Sequence, residues 1–265
     1  MLAPQQKDQE FPYWLVLLIG AGVWLFYQVW ASDLYAQVMA TVSRGVGVTI
    51  FVTLVGFAMA SGLGLVLAMA SLSRFVVARQ LARLYIEIIR GIPIIVLLLY
   101  VAFAGAPAVI AGWNWLTGPL GFDPLRTRDF SLLWRAVIAL TVAYSAFIAE
   151  VFRAGLQAVD AGQIEAAKAL GLKPWTRFRH VVFPQAFRMI LPPLGNDFVA
   201  MVKDSSLVSV LGVADVTQLG KVTAAGNFRY FETYNIVALI YLTMTITLSL
   251  ALRRLERKLR ARQEL

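Results

Sequence analysis

Residues 160–184, DAGQIEAAKALGLKPWTRFRHVVFP, form a polar and basic insert between long apolar segments. Asp160 is a favourable helix N-cap, and Gln163 follows three residues later, at the spacing of a capping box. Gly171 is suited to the left-handed conformation that ends a helix. Together these signals predict a short helix over residues 161–170.

The insert continues with a second predicted helix, which begins at Pro174. Proline is favoured at the first helical position, and the residue before it, Lys173, is biased towards extended conformations. This helix would carry Trp175, Phe178 and Val181 towards the next apolar segment. Two short helices at an angle are more than a passive connection, so we interpret the insert as a surface that a partner binds.

Composition places the rest of the chain in a membrane. Of the 265 residues, 59% are hydrophobic and 15% are charged, with a mean hydropathy of +0.71. Soluble domains are about 45–50% apolar. The chain has no cysteine, which excludes disulfides and thiolate metal sites. It has a single histidine, His180, so the sequence does not favour a histidine-rich metal site. We expect no catalytic site and no bound metal.

Uncharged runs of about 20 residues are long enough to cross the hydrocarbon layer, so we predict an all-α polytopic protein with about six transmembrane helices. The predicted spans are residues 13–31, 45–70, 91–109, 132–152, 186–202 and 234–252. The fifth is interrupted at Pro192 and Pro193 and must be surrounded by protein. Between spans we expect a cytoplasmic loop at 71–91, a loop at 105–131 and a polar segment with short helices at 203–232. We expect no cleaved signal peptide, because the first apolar run is too long and lacks a basic leader.

Small residues in the second span predict close packing against another helix. They occur four apart, as Ala58/Gly62 and Ala60/Gly64. This spacing places each pair on one face of a helix, where the missing side-chain bulk lets a neighbouring backbone approach.

The distribution of charge predicts the orientation of the chain. With both termini inside, the cytoplasmic segments hold 17 of the 24 Lys and Arg residues: one near the N-terminus, four at 74–90, six at 153–188 and six at the C-terminal end. Cytoplasmic loops are enriched in Lys and Arg. We therefore predict a cytoplasmic insert and cytoplasmic termini, and since topology accounts for most of the +9 net charge, we expect no nucleic-acid partner.

The chain has no Walker A motif, so an energy source has to come from another chain. The nearest pattern, at 212–222, has the wrong glycine spacing and lacks the Ser or Thr that binds magnesium. The insert would then be where an ATPase acts, with Glu165 as a charged contact and Gly171 setting the bend. The small residues that would let the helix sit in a partner groove are Ala166, Ala167 and Ala169. An ordinary exposed loop helix is the alternative.

The insert resembles the EAA loop of ABC-importer permeases, with Glu165 and Pro184 at the family's spacing in EAAKALGLKPWTRFRHVVFP. It departs from the usual Ile and Leu at Val181 and Phe183. The likeness covers about residues 41–255 and is to the polar amino-acid uptake group, the histidine/glutamine/arginine permease-like family. The matching segments are TLVGFAMASGLGLVLA, IEIIRGIPIIVLLL, AYSAFIAEVFRAGLQAVDAGQIEAA and PQAFRMILPPLGNDFVAMVKDSSL.

This resemblance implies a type I ABC-importer fold with a five-helix core at 41–255, an added N-terminal helix within 1–40 and a basic tail at 256–265. It implies a permease subunit that moves a polar or charged L-amino acid across the cytoplasmic (inner) membrane by alternating access. ATP and magnesium would bind to two separate cytoplasmic ATPase subunits, and this chain would bind no cofactor. The other implied partners are a second permease, in a homo- or heterodimer, an extracytoplasmic amino-acid-binding protein and the lipid bilayer.

Ionisable residues inside the predicted spans are candidates for a substrate path. At about 1.5 Å per residue, Asp197 lies roughly 16 Å into the fifth span, beside Asn196 and near the bilayer middle. A charged group there is costly and is a functional candidate by default, although a structural partner for a donor is the alternative. Glu150 and Arg153 lie one turn apart near the cytoplasmic end of the fourth span. We interpret Glu150 as lining the path, and a local ion pair with Arg153 is the alternative.

Other residues are predicted to have structural roles. Glu87 and Arg90 repeat the same three-residue spacing before the third span, and we interpret them as a structural pair. Gly91 and Pro93 would set the start of that span. Pro184 would do the same where the insert meets the fifth span.

Three other functions predict different features. A self-powered secondary carrier would show an inverted internal repeat, and the sequence shows none. A membrane-tethered DNA binder would use the helices around Gly171 as a helix-turn-helix, but spans hold that insert at both ends. An intramembrane hydrolase would need His180 as the base for Ser205 or Ser206 with Asp204, and the predicted topology places this histidine on the opposite face.

Overall fold

The computed structural model describes residues 13–261, which are mainly helical and contain no strand. The α-helices of this range are α1 Tyr13–Ala31, α2 Asp33–Val42, α3 Val46–Ser71, α4 Val76–Gly91, α5 Ile94–Tyr100, α6 Ala106–Thr117, α7 Leu132–Gln157, α8 Ala161–Ala169, α9 Pro174–Arg177, α10 Phe183–Asp204, α11 Val216–Asn227 and α12 Tyr230–Ala261. The start of the predicted N-terminal tail, 1–12, and the end of the basic tail, 262–265, lie outside the described residues. Helix α12 continues without a break past the predicted domain boundary at 255.

Four helices of the described range are long and apolar enough to cross a membrane. They are Asp33–Ser71, Ile94–Leu120, Leu132–Gln157 and Tyr230–Lys258, and they contain or overlap the second, third, fourth and sixth predicted spans. The first predicted span is α1, in which Ile19–Ala31 is a shorter apolar helix. The fifth corresponds to α10, a 22-residue helix whose polar and charged residues make it less apolar than the other four.

Two segments predicted as loops are helical. The segment 71–91 is mostly helix α4, because Ala82, Ile86 and Ile89 share one buried face, and the two isoleucines belong to the main hydrophobic core. The predicted loop at 105–131 is wrong over its first half, where the helix extends to Leu120. The predicted short helices in 203–232 are present as a 3₁₀ turn, Ser205–Leu211, and as α11.

Prolines in this chain are accommodated without breaking the helices. The predicted interruption at Pro192 and Pro193 is wrong, because α10 runs through both residues. Proline removes a backbone N–H but retains a φ near the helical value, and α10 is held by packing on both α7 and α12. The second predicted helix of the insert begins at Pro174, as predicted, and a π-helical turn, Phe178–Val182, joins this helix, α9, directly to α10.

Both π-helical turns lie just before a proline. Val101–Gly105 ends two residues before Pro107, and Phe178–Val182 ends two residues before Pro184. In each case the wider turn shifts the backbone hydrogen bonds to i→i+5 ahead of the residue that has no N–H. The π turn therefore lets the helix continue across a proline instead of ending.

Helix α7 is the centre of the main hydrophobic core, and α3 packs along it. A Cβ atom added to Gly64 would lie 2.9 Å from Cγ2 of Ile148, so the two helices are in close contact there, as the Ala60/Gly64 pair predicts. Ala60 is fully buried. The other pair, Ala58 and Gly62, lies on the exposed side of α3, and a Cβ on Gly62 would meet no atom within 4 Å.

A second cluster joins α2, α11 and α12. Its buried residues include Val42, Val216 and Ile236. Gly45 permits this packing, since a Cβ there would collide with the backbone of Asp215 and Val216. The start of α11 is thereby held against the start of α3.

Candidate coupling surface and substrate path

The insert forms the helix that its sequence predicts. The Asp160 carboxylate accepts a hydrogen bond of 3.1 Å from the Gln163 backbone N–H, and α8 follows from Ala161 to Ala169. Gly171 has a φ of +72°, the left-handed conformation that favours glycine at a helix end. The Gln163 side chain does not complete a capping box; its Oε1 accepts a 2.7 Å bond from Gln185 Nε2 on α10.

The insert is firmly attached to the membrane helices. A small hydrophobic cluster, separate from the main core, contains Val159, Ala186 and Ile190, and Ile164 of α8 packs against it. A Cβ on Gly155 would collide with Ile190, so α7 and α10 are in close contact directly beneath the insert. A force applied to α8 would therefore be transmitted to α7 and α10.

One face of α8 is open to a partner. Glu165, Ala166 and Ala169 are exposed, and Leu170 at the end of the helix is 79% exposed. Ala167, predicted to belong to the same contact, is instead buried at 4% exposure. The insert thus presents an acidic side chain and small residues outward, while Ala167 packs inward.

Glu150 and Arg153 form the local ion pair that was the alternative to a path-lining role. The Arg153 guanidinium contacts the Glu150 carboxylate and also donates to Gln157 Oε1 at 2.8 Å. Glu150 also borders a cavity of about 430 Å³ between α7 and α10, whose walls include Gly155, Met189 and Pro193. The pair and the cavity coexist, so a local contact does not remove Glu150 from a path.

The two candidates on α10 differ in exposure. Asn196 is exposed, whereas Asp197 is half-buried, and its Oδ2 is a buried atom with no hydrogen-bond partner among the described residues. Phe198, the next residue, contacts Phe57 of α3 with ring centroids 4.7 Å apart. Asp197 therefore directly precedes a residue that joins α10 to α3.

Glu87 and Arg90 do not form the structural ion pair that their spacing predicts. Glu87 and Arg90 are not within ion-pair distance, because the pairs within 4 Å in residues 13–261 are Glu150–Arg153 and Arg229–Glu232. The Arg90 guanidinium lies 5.8 Å from the centroid of the Phe147 ring, in cation–π geometry.

Gly91 and Pro93 lie at helix ends, as predicted. Gly91 is the last residue of α4, and Pro93 caps the start of α5. Pro184 does not mark the start of a helix, because the π turn joins α9 to α10 without a break directly before it.

Two tyrosines make contacts that the sequence did not indicate. Tyr85 on α4 donates to the carbonyl of Val142 at 3.1 Å, and Tyr144 on α7 donates to Asp204 Oδ2 at 2.7 Å. The partners are far apart in the chain, so no local pattern could reveal them. The hydrolase arrangement is not assembled: Ser205 is fully buried and donates to the Val202 carbonyl, while the His180 ring is bonded to the Thr176 carbonyl.

The family model described as binding-protein-dependent transport system inner membrane component matches residues 60–261. The chain belongs to this family. It is thus a multi-pass permease subunit of an inner-membrane ABC transporter, which confirms the family predicted from the EAA resemblance.

Among similar proteins of known name, the glutamine transport system permease protein GlnP of Escherichia coli K12 is 37% identical over 217 residues, covering 82% of this chain and 92% of that protein. The arginine transport system permease protein ArtQ of Bacillus subtilis 168 is 31% identical, again over 82% of this chain and 92% of its own length.

The fold also matches solved ABC-transporter structures. An amino acid ABC transporter crystallised with histidines superposes with a TM-score of 0.71 at 35% identity, covering 84% of this chain and 96% of that one. An inward-facing MetNI methionine ABC transporter matches with a TM-score of 0.60 at 21% identity, over 86% and 99%, and shows the fold alone. The all-α polytopic prediction of an ABC-importer permease fold is confirmed.

Proposed function

We propose that this permease moves a polar or charged L-amino acid inward by alternating access, driven by ATP hydrolysis on separate subunits. The observation that carries the proposal is the anchored insert, whose exposed helix α8 points Glu165 away from the membrane helices. The names of similar proteins support the substrate class, since they specify glutamine and arginine, and a solved relative contains histidines.

The proposed assembly contains two cytoplasmic ATPase subunits, a second permease that is a copy or a paralogue, and an extracytoplasmic amino-acid-binding protein. ATP and magnesium bind to the ATPase subunits, and this chain has no ATPase site and binds no cofactor of its own. The insert and both termini lie in the cytoplasm, as the distribution of Lys and Arg predicts. A self-powered secondary carrier is not favoured, because the insert has the form of a surface for a driving partner.

The proposed coupling contact is made by Glu165, Ala166 and Ala169, with Gly171 setting the bend and Ala167 holding α8 in place. An acidic side chain flanked by alanines fits a groove that has a basic group at its edge. A movement of α8 would act directly on α7 and α10, because Ile164 of α8 packs against the hydrophobic cluster that joins these two helices.

Glu150, Asn196 and Asp197 are the proposed residues of the substrate path. The cavity beside Glu150 and the unpartnered Oδ2 of Asp197 support these positions. Glu150 lies on α7 and Asp197 lies on α10, the two helices that the insert connects. Movement of the insert would therefore change the surroundings of both carboxylates.

Reversing one charge on α8 tests the coupling assignment. In the reconstituted complex, Glu165→Arg should lower substrate-stimulated ATP hydrolysis about tenfold, because a desolvated contact then carries the wrong charge. Glu256→Arg is the matched control, since it reverses a charge on α12, outside the insert, and it should retain wild-type hydrolysis. Adding Gly171→Pro to Glu165→Arg should abolish the stimulation. Unchanged stimulation in that double variant would remove the insert as the coupling element.

A further inference from the structure

A cavity of about 460 Å³ lies between α7 and the helical segment Ile94–Leu120, at the end of α7 that is opposite the insert. Its wall on α7 is a single row of side chains, Arg135, Ile138 and Val142, which follow one another at helical spacing. The facing wall includes Ile110 and other apolar residues of that segment. The volume is that of an ordinary ligand site, which is about 300–1,000 Å³.

The cavity fits within one leaflet of a bilayer. Arg135 is the fourth residue of α7, and Val142 lies seven residues further, about 10 Å along the helix. One leaflet contributes about 15 Å of hydrocarbon. The charged residues of the lining lie at the end beside the loop that precedes α7, and the deeper walls are apolar. The cavity therefore has the polarity of an amphiphile, with a charged end at the membrane surface and an apolar end below it.

Arg135 contributes a buried positive charge to this lining. Its side chain is 7% exposed, and the ion pairs within residues 13–261 all involve other residues. Three of its five N–H groups donate to the carbonyl oxygens of Ala102, Thr127 and Phe130. Carbonyl groups bond these donors but leave the charge uncompensated, and buried charges are normally paired. An anionic group that accepts from the two remaining N–H groups would complete the site.

The loop before α7 adds a second cation at the mouth of the cavity. Arg126 is exposed, belongs to the lining and has no carboxylate within 4 Å among the residues that the structure describes. Asp129 is also part of the lining, and its Oδ2 accepts a 2.8 Å hydrogen bond from the Arg126 backbone N–H. Two arginines against one aspartate leave an excess of one positive charge. A zwitterionic headgroup would bring its own cation here, whereas a net anionic headgroup compensates the excess.

We infer that this cavity binds an acyl chain of an anionic phospholipid, whose phosphate pairs with Arg126 and Arg135. The apolar walls suit an acyl chain and not a polar amino acid, so the site is independent of the proposed substrate path. Acyl chains meet apolar surroundings throughout a bilayer, so the walls alone do not select one lipid. The selection comes from charge-assisted hydrogen bonds between guanidinium and phosphate. The bound lipid lies in the leaflet that faces away from the insert and joins α7 to the segment Ile94–Leu120.

Photolabelling of the assembled transporter tests the site. The complex is placed in phosphatidylcholine nanodiscs that contain a small fraction of a probe lipid with a photoactivatable acyl chain, and the labelled residues are mapped by mass spectrometry. Two probes with the same chain are compared, a phosphatidylglycerol and a phosphatidylcholine. At Ile110 and Ile138 the phosphatidylglycerol probe should label about fivefold more strongly, the upper value for a partly exposed ion pair. At Leu99, an exposed residue outside the cavity, the two probes should label equally.

Matched variants separate the headgroup contact from the acyl-chain contact. Arg126→Gln should bring the two probes close to equal labelling at Ile138. Arg128→Gln removes an exposed charge of the same loop that does not line the cavity, and it should keep the wild-type preference. Both variants should melt like the wild type, because each changes an exposed side chain.

Filling the cavity tests the acyl-chain contact alone. Ile138→Trp adds bulk to the lining and should abolish labelling of Ile110 by either probe. Leu132→Trp adds the same ring to an exposed position of α7 outside the lining, and labelling of Ile110 should persist.

Two results would overturn the lipid site. Equal labelling of Ile138 by the two probes in the wild type, or a preference that survives Arg126→Gln, would refute the headgroup contact. A complex in which Leu99 is labelled but Ile110 and Ile138 are not would show that another part of the assembly, such as a second permease, covers the cavity.

Discussion

The Arg135 guanidinium on α7 donates to the carbonyl oxygen of Ala102 at 3.3 Å, across 33 positions of the chain. This acceptor has no backbone donor: the Ala106 N–H bonds to Val101 in the π turn, and the next residue is Pro107. A neighbouring helix therefore supplies the hydrogen bond that proline removes. The same guanidinium donates to Phe130 and Thr127 carbonyls in the loop before α7.

Arg135→Met should destabilise the protein by about 3 kcal/mol or more, because three carbonyls lose a charged donor and at least one is buried. The expected result is a clear fall in the melting temperature of the purified protein in detergent. Arg128→Met, at an exposed position of the same loop, should melt like the wild type. Equal melting of the two variants would show that these carbonyls do not depend on Arg135.

Two glycines one half-turn apart on α3 should respond to alanine with opposite signs. Gly64→Ala should destabilise, since its Cβ would lie 2.9 Å from Ile148 and 3.1 Å from the backbone of Ala149. Gly62→Ala should be neutral or stabilising by up to about 1 kcal/mol, because its Cβ meets open space and alanine is the better helix former. Thermal unfolding of both variants measures this difference. A Gly64→Ala variant as stable as Gly62→Ala would contradict the close contact of α3 with α7.

Adjacent alanines on α8 should separate partner binding from folding. Ala166→Trp adds bulk to the exposed face and should lower substrate-stimulated ATP hydrolysis without changing the melting temperature. Ala167→Trp forces a large side chain into a position that is 4% exposed, and overpacking of this kind costs about 1–3 kcal/mol or more. Its melting temperature should fall. The assignment of faces would be wrong if the two effects were exchanged.

Exchanging the charges of Glu150 and Arg153 should test whether the pair is only local. The double variant Glu150→Arg/Arg153→Glu retains an ion pair one turn apart, so its melting temperature should stay near that of the wild type. Uptake in proteoliposomes should nevertheless remain about tenfold reduced, because the cavity wall then carries an arginine in place of a carboxylate. Gln157→Glu, which alters a residue bonded to Arg153 outside the cavity wall, should keep uptake near the wild-type rate. Full recovery of uptake in the charge-exchanged protein would assign Glu150 a structural role alone.

Features that depend on neighbouring residues could be predicted from the sequence. The four apolar helices follow from composition along short windows. The cap at Asp160, the left-handed Gly171 and the end of α4 at Gly91 follow from the preferences of single residues. The EAA spacing is local as well, and it led to the family and to the exposed face of α8.

Packing decided the rest. Whether Pro192 and Pro193 break α10 depends on neighbouring helices that the proline positions do not reveal, and the loop predicted at 71–91 is a helix because one of its faces is buried. Only the fold turns Ala167 inward beside the exposed Ala166. It also brings Tyr144 to Asp204, which lies 60 positions away. Helix formation is a short-range property, whereas the partner of a buried polar atom is set by which helix faces meet. The sequence by itself therefore determined the membrane helices and the coupling insert, and the tertiary structure decided which polar groups they enclose.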